Sequence, residues 1–237
     1  LIAHIGALAI LLSFGIMAGS AGDYTFDAMR DFYHDGIWPT VAFLLALFGF
    51  GAKAGLLPLH IWLPEAHPAA PSPVSALMSG VMLKTAIYGI IRISLDLLDD
   101  NLWWWGVLLL VIGLITAIFG VIYAAIQSDM KRLLAYSSIE NIGVIFVGLG
   151  LALTFKSFML PHLSALAMTA MLYHCLNHAC FKSLLFLSTG SVLHATGERN
   201  LGKLGGLIHR MPWVAWLALV GVLASAGMPP LNGFISE

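Results

Sequence analysis

Tyr173-His174-Cys175-Leu176-Asn177-His178-Ala179-Cys180-Phe181-Lys182-Ser183-Leu184-Leu185-Phe186 decides how this chain is read. The stretch lies inside a run from Pro161 to Ala195 whose one formal charge is Lys182. About 20 mostly apolar residues suffice for a helix to cross a bilayer, so the run is a membrane span. His174, His178 and Lys182 recur at i, i+4 and i+8, which puts three ionisable groups on one helix face over about 12 Å. A charge at the bilayer centre costs at least about 2.5–3.5 kcal/mol on insertion scales, so a span that keeps one points to function.

The rest of the sequence agrees with a membrane reading. Of 237 residues, 59% are apolar and 10% charged, against roughly 25% charged in an average soluble domain. That composition excludes a soluble globule, and 11 Lys+Arg against 12 Asp+Glu leave no basic field for nucleic acid. Two cysteines, Cys175 and Cys180, make no disulfide framework. Seven spans are expected, at Leu1–Gly19, Ile37–Leu63, Ser72–Leu98, Leu102–Gln127, Leu133–Phe155, Pro161–Ala195 and Pro212–Ser236. Uninterrupted runs of this length are not barrel strands, which alternate over about 10 residues. The expected class is all-α: a polytopic transmembrane helical bundle. The chain begins and stops inside apolar runs, so residues 1–237 read as a single membrane domain cut from a longer subunit.

Lys131 and Arg132 follow the fourth span, and Arg199, Lys203 and Arg210 follow the sixth. The links after the first, third and fifth are acidic or sparse, with Asp23, Asp27, Asp31, Asp35, Asp96, Asp99 and Asp100 against Arg30 and Lys156. Basic short loops stay on the cytoplasmic side, so the even-numbered links should face it.

Two spans carry helix breakers. Lys53-Ala54-Gly55-Leu56-Leu57-Pro58-Leu59-His60 interrupts the second, and Gly227-Met228-Pro229-Pro230-Leu231-Asn232-Gly233 the seventh. Proline removes a donor and clashes with the preceding turn, and a pair of such breaks in matching positions is the mark of an internal repeat around a transport path. Charges sit where desolvation opposes them: Lys53 beside the first break, Lys84 and Lys182 in mid-span, Glu140 in the fifth span and Glu237 after the second break. Arg92 is near enough to a span end to snorkel. Imidazoles accept and donate protons near working pH, so His174, His178 and Lys182 suit a proton path. Plainer readings also hold for these residues: a lysine as structural partner of a carboxylate, or paired histidines as zinc ligands, although no third ligand stands at a fixed spacing. His4, His60, His67, His162 and His194 are expected to be wet, near span ends, with His34 and His209 in links. Trp103, Trp104 and Trp105 read as an interfacial belt.

The motifs around these residues resemble a known family. Lys53 through Pro68, Pro71-Ser-Pro-Val-Ser-Ala, Leu83-Lys84-Thr-Ala-Ile-Tyr-Gly, Asp129-Met-Lys-Arg-Leu-Leu-Ala-Tyr-Ser-Ser, Asn177-His-Ala-Cys-Phe-Lys and Gly227-Met-Pro-Pro-Leu-Asn-Gly-Phe-Ile-Ser-Glu look like the antiporter-like subunits of respiratory complex I, membrane-bound [NiFe] hydrogenases and multi-subunit Na+/H+ antiporters. Ser138-Ile-Glu-Asn-Ile-Gly looks more like the large membrane subunits of hydrogenase-4 and formate hydrogenlyase. The resemblance implies an inverted-repeat fold with two discontinuous helices, broken at Pro58 and at Pro229 and Pro230. It implies a proton pathway through Lys53, Lys84, His178, Lys182 and Glu237. Lys53 would pair with a glutamate from an earlier helix. Glu140 departs from most complex I members and adds a carboxylate that pairs with Lys182 or Lys84.

The implied function is proton translocation in a redox-driven complex of the bacterial or archaeal plasma membrane. No cofactor is expected in this chain; Fe–S clusters and a Ni–Fe or flavin centre are expected in partner subunits, with other membrane subunits and a peripheral electron-transfer arm as partners. Na+/H+ exchange, or a non-pumping scaffold for a hydrogenase arm, is the alternative.

Overall fold

A computed structural model describes residues 2–19, 22–31, 36–98 and 102–236. Glu237, His34 and the link acids Asp35, Asp99 and Asp100 therefore lie outside the described residues. The described chain is a helical bundle. In order it runs α1 (Ile2–Ala18), the short α2 (Phe26–Asp31), α3 (Trp38–Ala54), α4 (Trp62–Ala69), α5 (Ser72–Leu77) and α6 (Leu83–Arg92). Then follow α7 (Trp103–Ala125), α8 (Met130–Ser157), α9 (Pro161–Thr196), the single turn α10 (Leu207–Arg210), α11 (Pro212–Ser225) and α12 (Asn232–Ser236). Among the described residues four helical stretches, Trp38–Ala69, Ser72–Leu97, Trp103–Ala125 and Met130–Ser157, are long and apolar enough to cross a membrane. Of the other three expected spans, α1 and α11 are shorter apolar helices, and the 36-residue α9, with its polar face, is not among the four.

Both sequence-predicted breaks are present. Gly55 adopts a left-handed conformation (φ 82°) and its N–H closes on the Gly51 carbonyl, which stops α3. The backbone groups freed there find side chains. The Trp62 indole N–H donates to the Ala52 carbonyl at 2.8 Å, and the Leu57 N–H donates to the Thr116 hydroxyl at 3.2 Å. This is the condition on which a break survives at membrane depth. In the second break, α11 stops at Ser225 and α12 resumes at Asn232. The third expected span is continuous but not uniformly α: π-helical turns occupy Met78–Met82, between α5 and α6, and Ile93–Leu97, after α6.

The links sort to two ends. At one, Arg132 binds Glu65 through both carboxylate oxygens, the Lys131 ammonium donates to the Ala70 carbonyl at 2.7 Å, and Arg199 donates to the Pro68 carbonyl at 3.0 Å. Asp129 and Asn200 form a bridge there. The links after the second, fourth and sixth expected spans thus meet at a single basic end. At the other end Arg30 joins the first link to Asp96 at 2.8 Å.

The core lies between α3, α6, α7 and α8, around Phe43, Phe50, Ile90, Trp105, Leu109 and Phe146. Trp105 corrects the belt reading. Trp103 is exposed, but Trp105 is buried and stacks on Phe43 with ring centroids 4.4 Å apart. Helices α7 and α8 meet backbone to backbone. A Cβ on Gly106, Gly113 or Gly120, spaced seven residues apart, would come within 3 Å of α8 main-chain atoms. The opposite face of α7, with Leu114, Ile115, Ile118 and Ile122, is exposed and apolar, as a lipid-facing surface requires.

Candidate functional site: an ionisable face on α9

Helix α9 supplies the frame. Its buried face carries His174, Asn177, His178, Phe181, Lys182, Leu185 and Phe186. His178 and Lys182 are fully buried and His174 nearly so. The His174 and His178 rings lie 6.4 Å apart, and the Lys182 ammonium lies 5.9 Å from the Phe181 ring. The i, i+4, i+8 spacing legible in the sequence is therefore a row of groups turned into the bundle.

Other elements bring partners to this row. Lys84, at the start of α6, places its ammonium against His178 Nδ1 and donates to the Ser79 carbonyl at 2.7 Å. Ser79 belongs to the π-helical turn, whose wider winding departs from the ordinary i to i−4 ladder. The Ser79 and Ser138 hydroxyls, both fully buried, lie 2.8 Å apart and join this turn to α8. The second break reaches the row from the other side. Ser236 Oγ lies 3.1 Å from His174 Nδ1. Asn177 and Asn232 are paired twice: the Asn177 amide donates to the Asn232 carbonyl at 3.1 Å, and the Asn232 amide donates to Asn177 Oδ1 at 2.9 Å.

The structure thus gathers Lys84, His174, His178 and Lys182, with the second break at Pro229 and Pro230 seated on the same helix. It does not gather the other candidates as closely. Lys53 is exposed in a separate groove of about 250 Å³ lined by Ala3, Ala7, Ile10, Gly49, Trp62 and Met82. Glu140 is half-buried and accepts a hydrogen bond from Ser137 at 3.2 Å. The Lys84 ammonium donates to Ser79 and contacts His178, and among the described residues no ion pair joins it to Glu140, one of the two pairings expected. Sequence reasoning missed Ser79 and Ser138 as partners, because short polar side chains carry no signal until a neighbouring helix faces them. His67, expected to be wet, is fully buried and stacked on Phe186 at 4.6 Å. Among the described residues no group of three His, Cys, Asp or Glu side chains converges as a metal ion requires.

One broken helix seated on the ionisable face of α9, in a bundle that holds a second broken helix, is the arrangement of a transporter-type membrane bundle. The chain belongs to the NADH:quinone oxidoreductase/Mrp antiporter transmembrane family, whose model matches residues 1–237. It is 47% identical over 238 residues to hydrogenase-4 component B of Escherichia coli, covering 100% of this chain and 35% of that protein. It is 48% identical over 195 residues to formate hydrogenlyase subunit 3 of the same organism, covering 82% of this chain and 32% of that one. Among solved structures, the Mrp complex from Dietzia sp. superposes with a TM-score of 0.85 at 31% identity, over 100% of this chain and 25% of the matched one. The chain spans about a third of the length of these curated relatives.

Proposed function

We propose that this chain is the proton-conducting part of an antiporter-like membrane subunit in a redox-driven complex of the hydrogenase-4 or formate hydrogenlyase type. The observation that carries the reading is the contact of Lys84 with His178 in the middle of the α9 row. Two groups that both bind a proton share one site there, and the next ionisable side chains, His174 and Lys182, lie one turn away on either side. A unit charge arriving 6–8 Å away is worth about 2–3 kcal/mol at an effective dielectric of about 20, enough to load or unload a proton on a neighbour. Lys84 and Lys182 would change protonation in turn, with His174 and His178 between and beside them. Lys53, Glu140 and Glu237 belong to the proposed pathway as its flanking members. Electron transfer, with Fe–S clusters and a Ni–Fe or flavin centre, is assigned to partner subunits, and the chemistry of this chain is confined to moving protons.

Na+/H+ exchange is the second reading, favoured by the antiporter half of the family description. Ser236, one of the few hard oxygen donors near the second break, is hydrogen-bonded to His174 and Gly233, which leaves less for a sodium ion. The deciding experiment measures redox-driven proton uptake by the intact complex in sealed vesicles, with and without Na+. Uptake independent of Na+ and lost in Lys84→Ala and Lys182→Ala variants that still assemble is the expected result. Unchanged uptake with both lysines removed would overturn the proposal and leave the scaffold role.

A further inference from the structure

His67 sits at the far end of the α9 row from the second break. It is delivered by α4, the helix that resumes after the first break, and it is fully buried. Its ring lies almost parallel to Phe186, 16° from coplanar at 4.6 Å. Phe186 occupies the next position in the series His174, His178, Lys182, Phe186, each four residues or about 6 Å beyond the last. The row therefore does not end at Lys182. Where α9 itself offers a phenyl ring, another element lays an imidazole on it. The second break touches the row at His174 through Ser236, and the helix that follows the first break touches it at Phe186 through His67.

Both ring nitrogens of His67 are buried, and neither has a hydrogen-bond partner among the described residues. Buried polar nitrogens are almost always satisfied, by protein or by ordered water. An imidazole stacked for its ring alone would be better replaced by a phenyl group, which carries no desolvation cost. Beyond His67 lies the basic end: its own carbonyl accepts from Ser75, and the Pro68 and Ala70 carbonyls accept from Arg199 and Lys131. The charges around it are Lys182 from α9 and Lys131 from α8, with Arg199 in the sixth link. Glu65 on its own helix is exposed and bound to Arg132.

We infer that His67 is the proton-transfer station between Lys182 and the basic end of the bundle, working through water held on its two ring nitrogens. This rests on the proton-conducting reading above and extends it to a residue outside the α9 row. Neutral imidazole takes a proton on one nitrogen and releases one from the other, so it passes a proton without moving.

The test uses the intact complex in sealed vesicles. His67→Phe keeps a ring on Phe186 and removes both nitrogens; His67→Gln keeps polarity but does not relay. Both should assemble and lose proton uptake by ~10-fold or more, a modest loss for a positioned proton-transfer group. Both should also lose the response of the rate to pH on the basic side, which a packing role would not touch. Wild-type uptake in His67→Phe, with uptake lost in Lys182→Ala, would overturn the assignment of His67 while keeping the wider reading. Wild-type uptake in Lys182→Ala as well would remove the wider reading itself. In the unaltered complex, exchange of the His67 ring C2 hydrogen with deuterium, followed by mass spectrometry, should be measurable, although slower than at exposed His209, because it passes through the charged ring that burial opposes. No exchange would mean a dry ring and would overturn the inference even if neither variant assembled.

Discussion

The Lys84 ammonium sits between His178 Nδ1 and the Ser79 carbonyl, so one amine ties α6 to α9 and to its own π-helical turn. While Lys84 is charged it must donate to His178, which is then neutral with its hydrogen on Nε2. The two residues form one proton-binding unit rather than two independent sites. Lys84→Ala and His178→Ala should each lower proton uptake on the order of 100-fold, the scale of losing one positioned acid–base group. Because they act together, the double variant should lose about the same and not the product. Initial rates for the four proteins of the cycle, normalised to assembled complex, check this; multiplicative losses would separate the two roles.

The second break depends on the reciprocal amide pair between Asn177 and Asn232. Asn232→Ala removes one donor and strands the nearly buried Asn177 carbonyl oxygen, at a cost of about 1–3 kcal/mol. Amide exchange across residues 226–236 should quicken, while exchange in α3 and α4 around the first break stays as it was. Uniform acceleration throughout would show general loosening instead.

The α7–α8 seam offers a sharper contrast. A Cβ on Gly113 would lie 2.8 Å from the Gly143 carbonyl oxygen and 2.8 Å from the Val147 nitrogen, with backbone on both counts, whereas a Cβ on Gly15 of α1 meets nothing within 4 Å. Gly113→Ala should destabilise by about 1–3 kcal/mol through overpacking. Gly15→Ala should be neutral or stabilise by up to about 0.5–1 kcal/mol, since alanine restricts the unfolded chain. Thermal unfolding in detergent ranks the two.

Much of this architecture is legible in the residues themselves, because a bilayer makes backbone satisfaction and charge burial expensive. Run length marks the spans, Gly55-Leu-Leu-Pro58 and Pro229-Pro230 mark the breaks, and spacing alone puts His174, His178 and Lys182 on one face. What spacing does not reveal is what stands opposite. Lys53 and Lys182 carry the same sequence signal, yet one is exposed and the other wholly buried. His67 looks interfacial until Phe186, far away in the chain, covers it, and Trp105 looks like an anchor until Phe43 does the same. The glycines at 106, 113 and 120 were available as a heptad signal for close helix contact, and α8 shows what they admit.

At the basic end two neighbouring cations should differ in weight. Lys131 is 3% exposed and donates to the Ala70 carbonyl, while the Arg132–Glu65 pair is 44% and 67% exposed. Lys131→Met leaves the Ala70 carbonyl at the end of α4 unsatisfied and should cost about 1–3 kcal/mol. Arg132→Met breaks an exposed pair worth about 0.2–1 kcal/mol. Unfolding midpoints in the same detergent should fall in that order, and the reverse order would count against the clamp.

Acid should loosen the same end through Glu198, which follows α9. Its carboxylate is held below the ordinary glutamate range, first by the Asn200 N–H, then by the Arg199 N–H and by Lys203 at 3.4 Å. A carboxylate depressed on folding contributes stability that is complete above its unfolded pKa and disappears as pH falls through the folded one. The Arg199 and Asn200 amides should therefore exchange faster, relative to their intrinsic rates, once pH drops below the ordinary glutamate range. Glu198→Gln should show the fast exchange already at neutral pH and lose the acid dependence. Arg199 also holds the Pro68 carbonyl and Asp129, so the loosening should reach the loop beside His67 before it reaches the α7–α8 seam. Simultaneous release of both regions would mean that acid unfolds the bundle as a whole and that Glu198 is not the local trigger.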